Sequence, residues 1–169
     1  MPQTSQKQPA ALRGVLLVAA PATREAMRLE LADAGPLRVK AASTAKELLA
    51  AVPTAEPHAL LVELGLLPPQ VLRAARELAE LSTSRKVPVV IFGGPLPPEL
   101  DRQREALCIR AVVDGPYRLQ PVLAALRSAI AWADQLKKTA AIRERLKAAS
   151  EKLKPSAPML PPAPEQPKP

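Results

Sequence analysis

The sequence predicts an α/β domain in which helices cover both faces of a five-stranded parallel sheet. Short apolar runs alternate with longer stretches whose apolar residues recur at helical spacing, and five such pairs follow one another between Arg13 and Ala133. The runs are almost wholly apolar, as is typical of strands buried on both faces. Alternation of this kind predicts a doubly wound sheet with right-handed crossovers, for which the strand order 2-1-3-4-5 is common.

The first half of the domain is expected to contain three strands and two helices. The first helix should stop at Gly35-Pro36, because proline cannot continue a helix. Ser43 or Thr44 is expected to cap the second helix, since Glu47 follows at nearly the spacing of a capping box. The predicted segments are strands over 15–20, 37–42 and 59–64, and helices over 23–34 and from about 43 to 52.

The second half adds two strands and three helices. A helix is predicted over 69–81, a strand over 87–92, a helix with a weak apolar stripe over 99–107 and a strand over 109–113. Pro121 is acceptable in the first turn of the last helix, and no helix breaker follows until Pro155. This helix is therefore expected to reach roughly 50 Å in length.

The terminal helix carries two apolar patterns. Its first part is expected to cover the sheet, and its second part has the four-three-four spacing of a coiled coil. A homodimer seam is predicted there, and a helix that folds back onto its own domain is the open alternative. The residues of the first part are Val122, Leu123, Leu126 and Ile130. The four-three-four spacing runs through Ile142, Leu146, Ala149 and Leu153, of which Ile142, Leu146 and Leu153 are the predicted seam.

Four regions follow from these patterns. Residues 1–12 are expected to form a disordered arm, 13–133 a folded domain, 134–154 a helical extension and 155–169 a proline-rich disordered tail. The tail is either a docking peptide or a linker.

The net charge of +8 raises the question of nucleic acid. The three aromatic residues, Phe92, Tyr117 and Trp132, are too scattered to form a base-stacking platform. Solvated charge on helix faces is the favoured interpretation, so nucleic-acid binding is not expected, and binding through the basic C-terminal helix is kept as the alternative function.

The cellular setting is inferred from cysteine and hydropathy. Cys108 is the single cysteine, which excludes an intrachain disulfide and a cysteine metal cluster. The first residues lack a signal peptide's apolar core, and no apolar run reaches the roughly 18 residues needed to cross a bilayer. A cytoplasmic protein without membrane insertion is expected.

Four segments resemble a response-regulator receiver domain, which has a flavodoxin-like fold of five strand–helix units. RGVLLVAA (13–20) resembles the first strand, HALLVELGLLP (58–68) the third strand and its loop, and VPVVIFGG (87–94) the fourth strand. VVDGPYRLQPVLAALRSAI (112–130) resembles the fifth strand, its turn and the last helix. The match covers about Arg13 to Ala133.

The resemblance implies a phosphorylation pocket whose chemistry has been lost. Receivers bind magnesium with two acids after the first strand, and Ala19 and Ala20 stand there. The phosphate-accepting aspartate corresponds to Glu63, the hydroxyl residue to Gly93 and the lysine to Gly115. Magnesium prefers oxygen ligands, which alanines do not offer. No metal, cofactor or enzymatic activity is therefore expected. Three alternatives are open: Glu63 as a mimic of phosphoaspartate, an anion cradle at Gly93-Gly94, and a residual enzyme or true phosphoacceptor.

The resemblance also implies how the domain works. Receivers usually signal through the fourth helix, fifth strand and fifth helix, so a phosphorylation-independent module that binds a protein partner is expected. The extension is similar to the coiled coil of pseudo-receivers in ANTAR-type RNA-binding antiterminators, but the proline-rich tail begins where their RNA-binding module would start. The partner surface is predicted to comprise Leu100, Arg104, Val112, Tyr117, Leu123 and Arg127.

Overall fold

A parallel sheet of five strands forms the centre of the protein. The computed structural model describes residues 12–44, 47, 50, 51, 57–66 and 87–152. The strands pair in the order β2-β1-β3-β4-β5, and every pairing is parallel, which confirms the predicted flavodoxin-like fold. The elements are β1 (Arg13–Val18), α1 (Pro21–Asp33), β2 (Leu37–Ala42), β3 (Ala59–Glu63), a 3-10 turn (Leu64–Leu66), β4 (Val89–Phe92), α2 (Pro98–Asp101), β5 (Ile109–Val113) and α3 (Leu119–Lys152).

The turn between β1 and α1 comes earlier than predicted. β1 ends at Val18, and Ala20 is the N-cap of α1. The carbonyl of Ala20 accepts hydrogen bonds from the N–H groups of Thr23 and Arg24, at 3.1 and 2.9 Å. The helix begins at Pro21, where a missing N–H has no cost because the first helical N–H groups lack partners within the helix.

Thr44 caps the second helix as predicted, and the Glu47 carboxylate bonds the residue before the cap rather than Thr44 itself. The N–H of Glu47 donates to Thr44 Oγ1 at 3.2 Å, and the Glu47 carboxylate accepts from the N–H of Ser43 at 2.6 Å. Glu47, Ala50 and Ala51 are helical. The predicted helix over 69–81, the arm before Leu12 and the proline-rich tail lie outside the described residues.

The predicted helix over 99–107 is largely wrong. α2 contains four residues and gives way to turns that are held by hydrogen bonds between residues three to five positions apart. The weak apolar stripe explains this, because none of the α2 residues is buried and a short helix depends on packing. Cys108 then adopts a left-handed conformation (φ 54°), and β5 follows at once.

Two apolar layers cover the faces of the sheet. Val15 and Leu17 of β1 pack against α1 and α3, whereas Leu16 and Val18 face the other layer. This is the period-two alternation of a strand whose two sides are both covered. All buried residues in the described ranges are apolar, and most are aliphatic.

A bulge in β5 changes the direction of one side chain. Val89 pairs with Ile109 and Val90 with Ala111, so that Arg110 is the extra residue. Bulges re-aim side chains, and the guanidinium of Arg110 lies 3.4 Å from the centre of the Trp132 ring on α3. The bulge therefore joins the edge strand to the terminal helix.

The chain divides into two compact units, Met1–Lys137 and Lys138–Pro169. Helix α3 contributes residues to both units. In the second unit, the described residues 138–152 are helical, and every one of them is exposed. None of the helices in the described ranges is both long and apolar enough to cross a membrane.

Candidate functional site

The predicted pocket positions meet at the edge of the sheet where the parallel strands end. Ala19 and Ala20 follow β1, Glu63 is the last residue of β3, Gly93 follows β4, and Gly115 comes soon after β5. This edge is where open α/β sheets place their ligands. A pocket of about 410 Å³ lies here, and Glu63 and Gly93 are among the residues that line it.

Helix α1 supplies one wall of this pocket, which the sequence interpretation did not identify. Thr23, Met27 and Glu30 line the pocket, and their spacing of four and three residues places them on one face of the helix. Phe92 and Tyr117 form part of the opposite wall. The helical spacing could have identified the α1 residues, although the sequence does not show which face turns toward the strand ends.

The carboxylate of Glu63 is bound to the turn after β1. The N–H of Ala20 donates a hydrogen bond of 2.7 Å to Glu63 Oε2, across 43 residues of chain. Ala20 is the N-cap of α1, so the carboxylate lies near the positive end of the helix dipole. Such placement typically stabilises a helix by about 0.3–1 kcal/mol. Glu63 therefore joins β3 to the beginning of α1.

The donor set around Glu63 does not suit magnesium. Ala19 and Ala20 have no side-chain oxygen, and one Glu63 oxygen already accepts a backbone hydrogen bond. Magnesium requires several oxygen ligands in near-octahedral order. In the parts of the chain that the structure describes, no three His, Cys, Asp or Glu residues are grouped so that they could hold a metal ion.

The two glycines have backbones that disfavour side chains. Gly93 has φ +106° and Gly115 has φ +80°. L-residues rarely adopt these values, because the Cβ atom then crowds the neighbouring backbone. A hydroxyl or lysine side chain at either position would therefore strain this backbone. Glu63 as a phosphoaspartate mimic stays an untested alternative, and its carboxylate contacts the Ala20 N–H rather than a hydroxyl or lysine partner.

Tyr117 packs into the wall of the pocket. Its ring meets that of Phe92 edge to face, with the ring centres 5.9 Å apart. The hydroxyl is buried and makes no hydrogen bond within the described residues. Burial, together with the nearby Glu30 carboxyl group, raises the pKa of Tyr117 to about 12.

The raised pKa predicts that stability falls at high pH. An unfolded tyrosine has a pKa of about 10, so the unfolded state loses its proton first as the pH rises. The contribution of Tyr117 to the free energy of unfolding is complete below pH about 10 and is lost as the pH approaches about 12.

Because Tyr117 is the only tyrosine, tyrosinate absorbance reports its titration directly. Tyr117→Phe should remove this part of the pH dependence, and titration near pH 10 in the folded protein would contradict the prediction.

The predicted partner surface needs two corrections. Arg104 and Arg127 are exposed, whereas Leu100, Val112 and Tyr117 are partly buried. Arg127 lies beside Gly35 and Leu37, near the sheet edge opposite β5, so it is not part of a surface around β5.

The second correction concerns Leu123. Leu123 is only 3% exposed and belongs to the core layer between the sheet and α3. The prediction that Leu123 covers the sheet is borne out, and its assignment to an accessible surface is wrong, because its helical position faces inward.

Two residues of the predicted dimer seam are accessible. Ile142 is 57% exposed and Leu146 is 65% exposed. Leu153 lies outside the described residues.

The fold is that of CheY-like response-regulator receiver domains. The structure is similar to chemotaxis protein CheY4 of Vibrio cholerae (TM-score 0.62, 19% identity), covering 70% of this chain and 99% of that one. It is also similar to a CheY-like receiver domain from Methanospirillum hungatei (TM-score 0.63, 18% identity), covering 76% of this chain and 99% of that one. NtrX from Brucella abortus, in complex with ADP, matches with a TM-score of 0.66 and 18% identity over 80% of this chain and 30% of its own. No protein-family model and no curated protein matches the sequence.

Proposed function

We propose that this protein is a receiver-fold module that acts in signal transduction by binding another protein, without being phosphorylated and without enzymatic activity. One observation carries the proposal. The Glu63 carboxylate, at the position of the phosphate acceptor, bonds the Ala20 N–H, at the position of the acid pair. In this arrangement the residue corresponding to the acceptor helps to hold the fold together.

The surroundings of Glu63 support this proposal. Phosphoryl transfer depends on positive or hydrogen-bonding groups that stabilise the developing charge. The positions that would supply a hydroxyl and an ammonium group are Gly93 and Gly115, and the positive φ of both glycines makes a side chain unfavourable there. Glu63, Gly93 and Gly115 therefore lack the groups that phosphoryl transfer needs, which supports a role through contact with a partner.

The proposed contact surface lies beside β5, which is an edge strand of the sheet. Of the residues predicted for it, Arg104 offers exposed charge, and Leu100 and Val112 contribute partly buried apolar surface. Tyr117 follows β5, and its side chain lines the pocket. Arg127 is exposed but borders the turn before β2, close to Gly35, so it does not belong to the proposed surface. Apolar residues beside charged ones are typical of protein interfaces.

The terminal helix is a second proposed contact element. Ile142 and Leu146 leave most of their side-chain surface accessible, as the coiled-coil prediction requires. Self-association and association with a different protein would both use this stripe. The exposed lysines and arginines around it also keep nucleic-acid binding as the alternative function.

The absence of phosphorylation can be tested by intact-mass measurement. The full chain is incubated with acetyl phosphate and Mg²⁺, beside a receiver domain that has the acid pair and the aspartate. We expect the control to gain a phosphoryl group and this protein to gain none, because Ala19 and Ala20 offer no ligand for Mg²⁺. A phosphoryl group on this chain that is lost in Glu63→Gln would refute the proposal.

A further inference from the structure

The described part of the second unit has one apolar stripe. Ile142, Leu146 and Ala149 are separated by four and three residues, so they lie along one side of the helix. All three are exposed, and Ile142 and Leu146 are among the most exposed large apolar residues that the structure describes. Large aliphatic side chains at coiled-coil spacing indicate a surface that another helix covers.

The charges that border this stripe are all positive. With about 3.6 residues per turn, three bases border the stripe on one side and one on the other, and the acidic residues Glu144 and Glu151 lie on the opposite face of the helix. We call these four bases the basic flanks. They are Lys138, Arg145 and Lys152 on one side, and Arg143 on the other.

A second copy of this helix fits the stripe poorly. In heptad terms Leu146 is at position a, Ile142 and Ala149 are at d, and the flanking g and e positions are mostly basic. A parallel pair would place Lys138 of one copy beside Arg143 of the other. An antiparallel pair would place each flank beside the same flank of the second copy. Like charges meet in both orientations, which disfavours a homodimer.

We propose that the stripe binds an amphipathic helix of another protein, with leucine or isoleucine at its a and d positions and glutamate or aspartate at its e and g positions. The argument is charge complementarity, since acidic e and g residues would pair with the basic flanks and suppress self-association. This inference rests on the proposed function, in which the chain acts by protein contact, and it adds the chemistry of the partner.

Two synthetic peptides test the inference. Both have leucine and isoleucine at a and d, and one has glutamate at every e and g position where the other has lysine. Each is titrated into the full chain, and binding is read by fluorescence anisotropy. We expect the glutamate peptide to bind at least about tenfold more tightly, because only its flanks are complementary.

Variants separate apolar packing from simple charge attraction. Ile142→Gln combined with Leu146→Gln keeps every charge and should lower the affinity for the glutamate peptide at least about tenfold. Lys138→Glu with Arg143→Glu and Arg145→Glu should reverse the preference toward the lysine peptide. Glu144→Gln with Glu151→Gln changes only the opposite face and is the matched control, for which affinity for the glutamate peptide should be retained.

Four results would overturn the inference. The first is that the two peptides bind equally or not at all, and the second is that the glutamate peptide still binds after Ile142 and Leu146 are replaced. The third is a dimer in sedimentation that these two replacements abolish. The fourth is binding of anionic vesicles or duplex RNA by a chain that does not prefer the glutamate peptide. The proposed function fails differently, through a phosphoryl group gained from acetyl phosphate. The two failures are therefore distinguishable.

Discussion

Leu126→Ala is expected to lower the free energy of unfolding by about 2–5 kcal/mol. Leu126 lies on α3 and is completely buried between this helix and the sheet. Removing its side chain loses apolar burial and leaves a cavity, because the rigid strands around it cannot collapse fully. Urea unfolding followed by circular dichroism gives the change directly.

The same helix provides a matched control. Leu146 also lies on α3 and is 65% exposed, so Leu146→Ala removes the same atoms from a site with little burial. We expect its effect on the free energy of unfolding to stay within about 0.5 kcal/mol. If both variants lowered the free energy of unfolding by similar amounts, the first part of α3 would not pack on the sheet as described.

Gly93→Thr is expected to destabilise the fold by about 1–3 kcal/mol. Gly93 has φ +106°, which a β-branched residue adopts only under strain. The added Cβ would lie 3.6 Å from the Leu64 nitrogen, an ordinary contact, so the cost comes from the backbone rather than from a collision. Thermal or urea unfolding measures it.

Gly65→Ala is the control for this substitution. A Cβ at Gly65 meets nothing within 4 Å, and Gly65 is not among the positive-φ glycines. We expect this change to be neutral or to stabilise by up to about 1 kcal/mol, since alanine restricts the unfolded chain. If Gly93→Thr were equally neutral, the backbone after β4 would accept a side chain, which would contradict the expected strain.

The local patterns of the chain predicted the strands and the terminal helix better than the helix that follows β4. The predicted bounds of β2 and β5 are confirmed, because their apolar residues determine which segments can be buried. The helix over 99–107 was wrong, because a weakly amphipathic stretch gains little from packing and settles into turns after Asp101. Leu123 was assigned both to the core and to a surface, and its burial shows that only the first was right.

The candidate site was predicted in position but not in its contacts. The strand ends brought Glu63 and the two glycines to one edge, as parallel pairing requires. The hydrogen bond between Glu63 and Ala20 joins residues that are 43 positions apart. Whether the Glu63 side chain can reach Ala20 depends on the distance between the ends of β1 and β3. The contribution of Thr23 and Glu30 from α1 likewise depends on how that helix is rotated on the sheet.

The amino-acid sequence by itself determined the doubly wound sheet, its strand order and the lack of side-chain oxygens at Ala19 and Ala20, because burial periodicity and residue chemistry are local properties. Only the tertiary structure decided where the Glu63 carboxylate bonds, that both glycines adopt positive φ and that the β5 bulge brings Arg110 over Trp132. These features arise from distances and angles between segments that are remote along the chain. Packing of the elements against one another sets such distances.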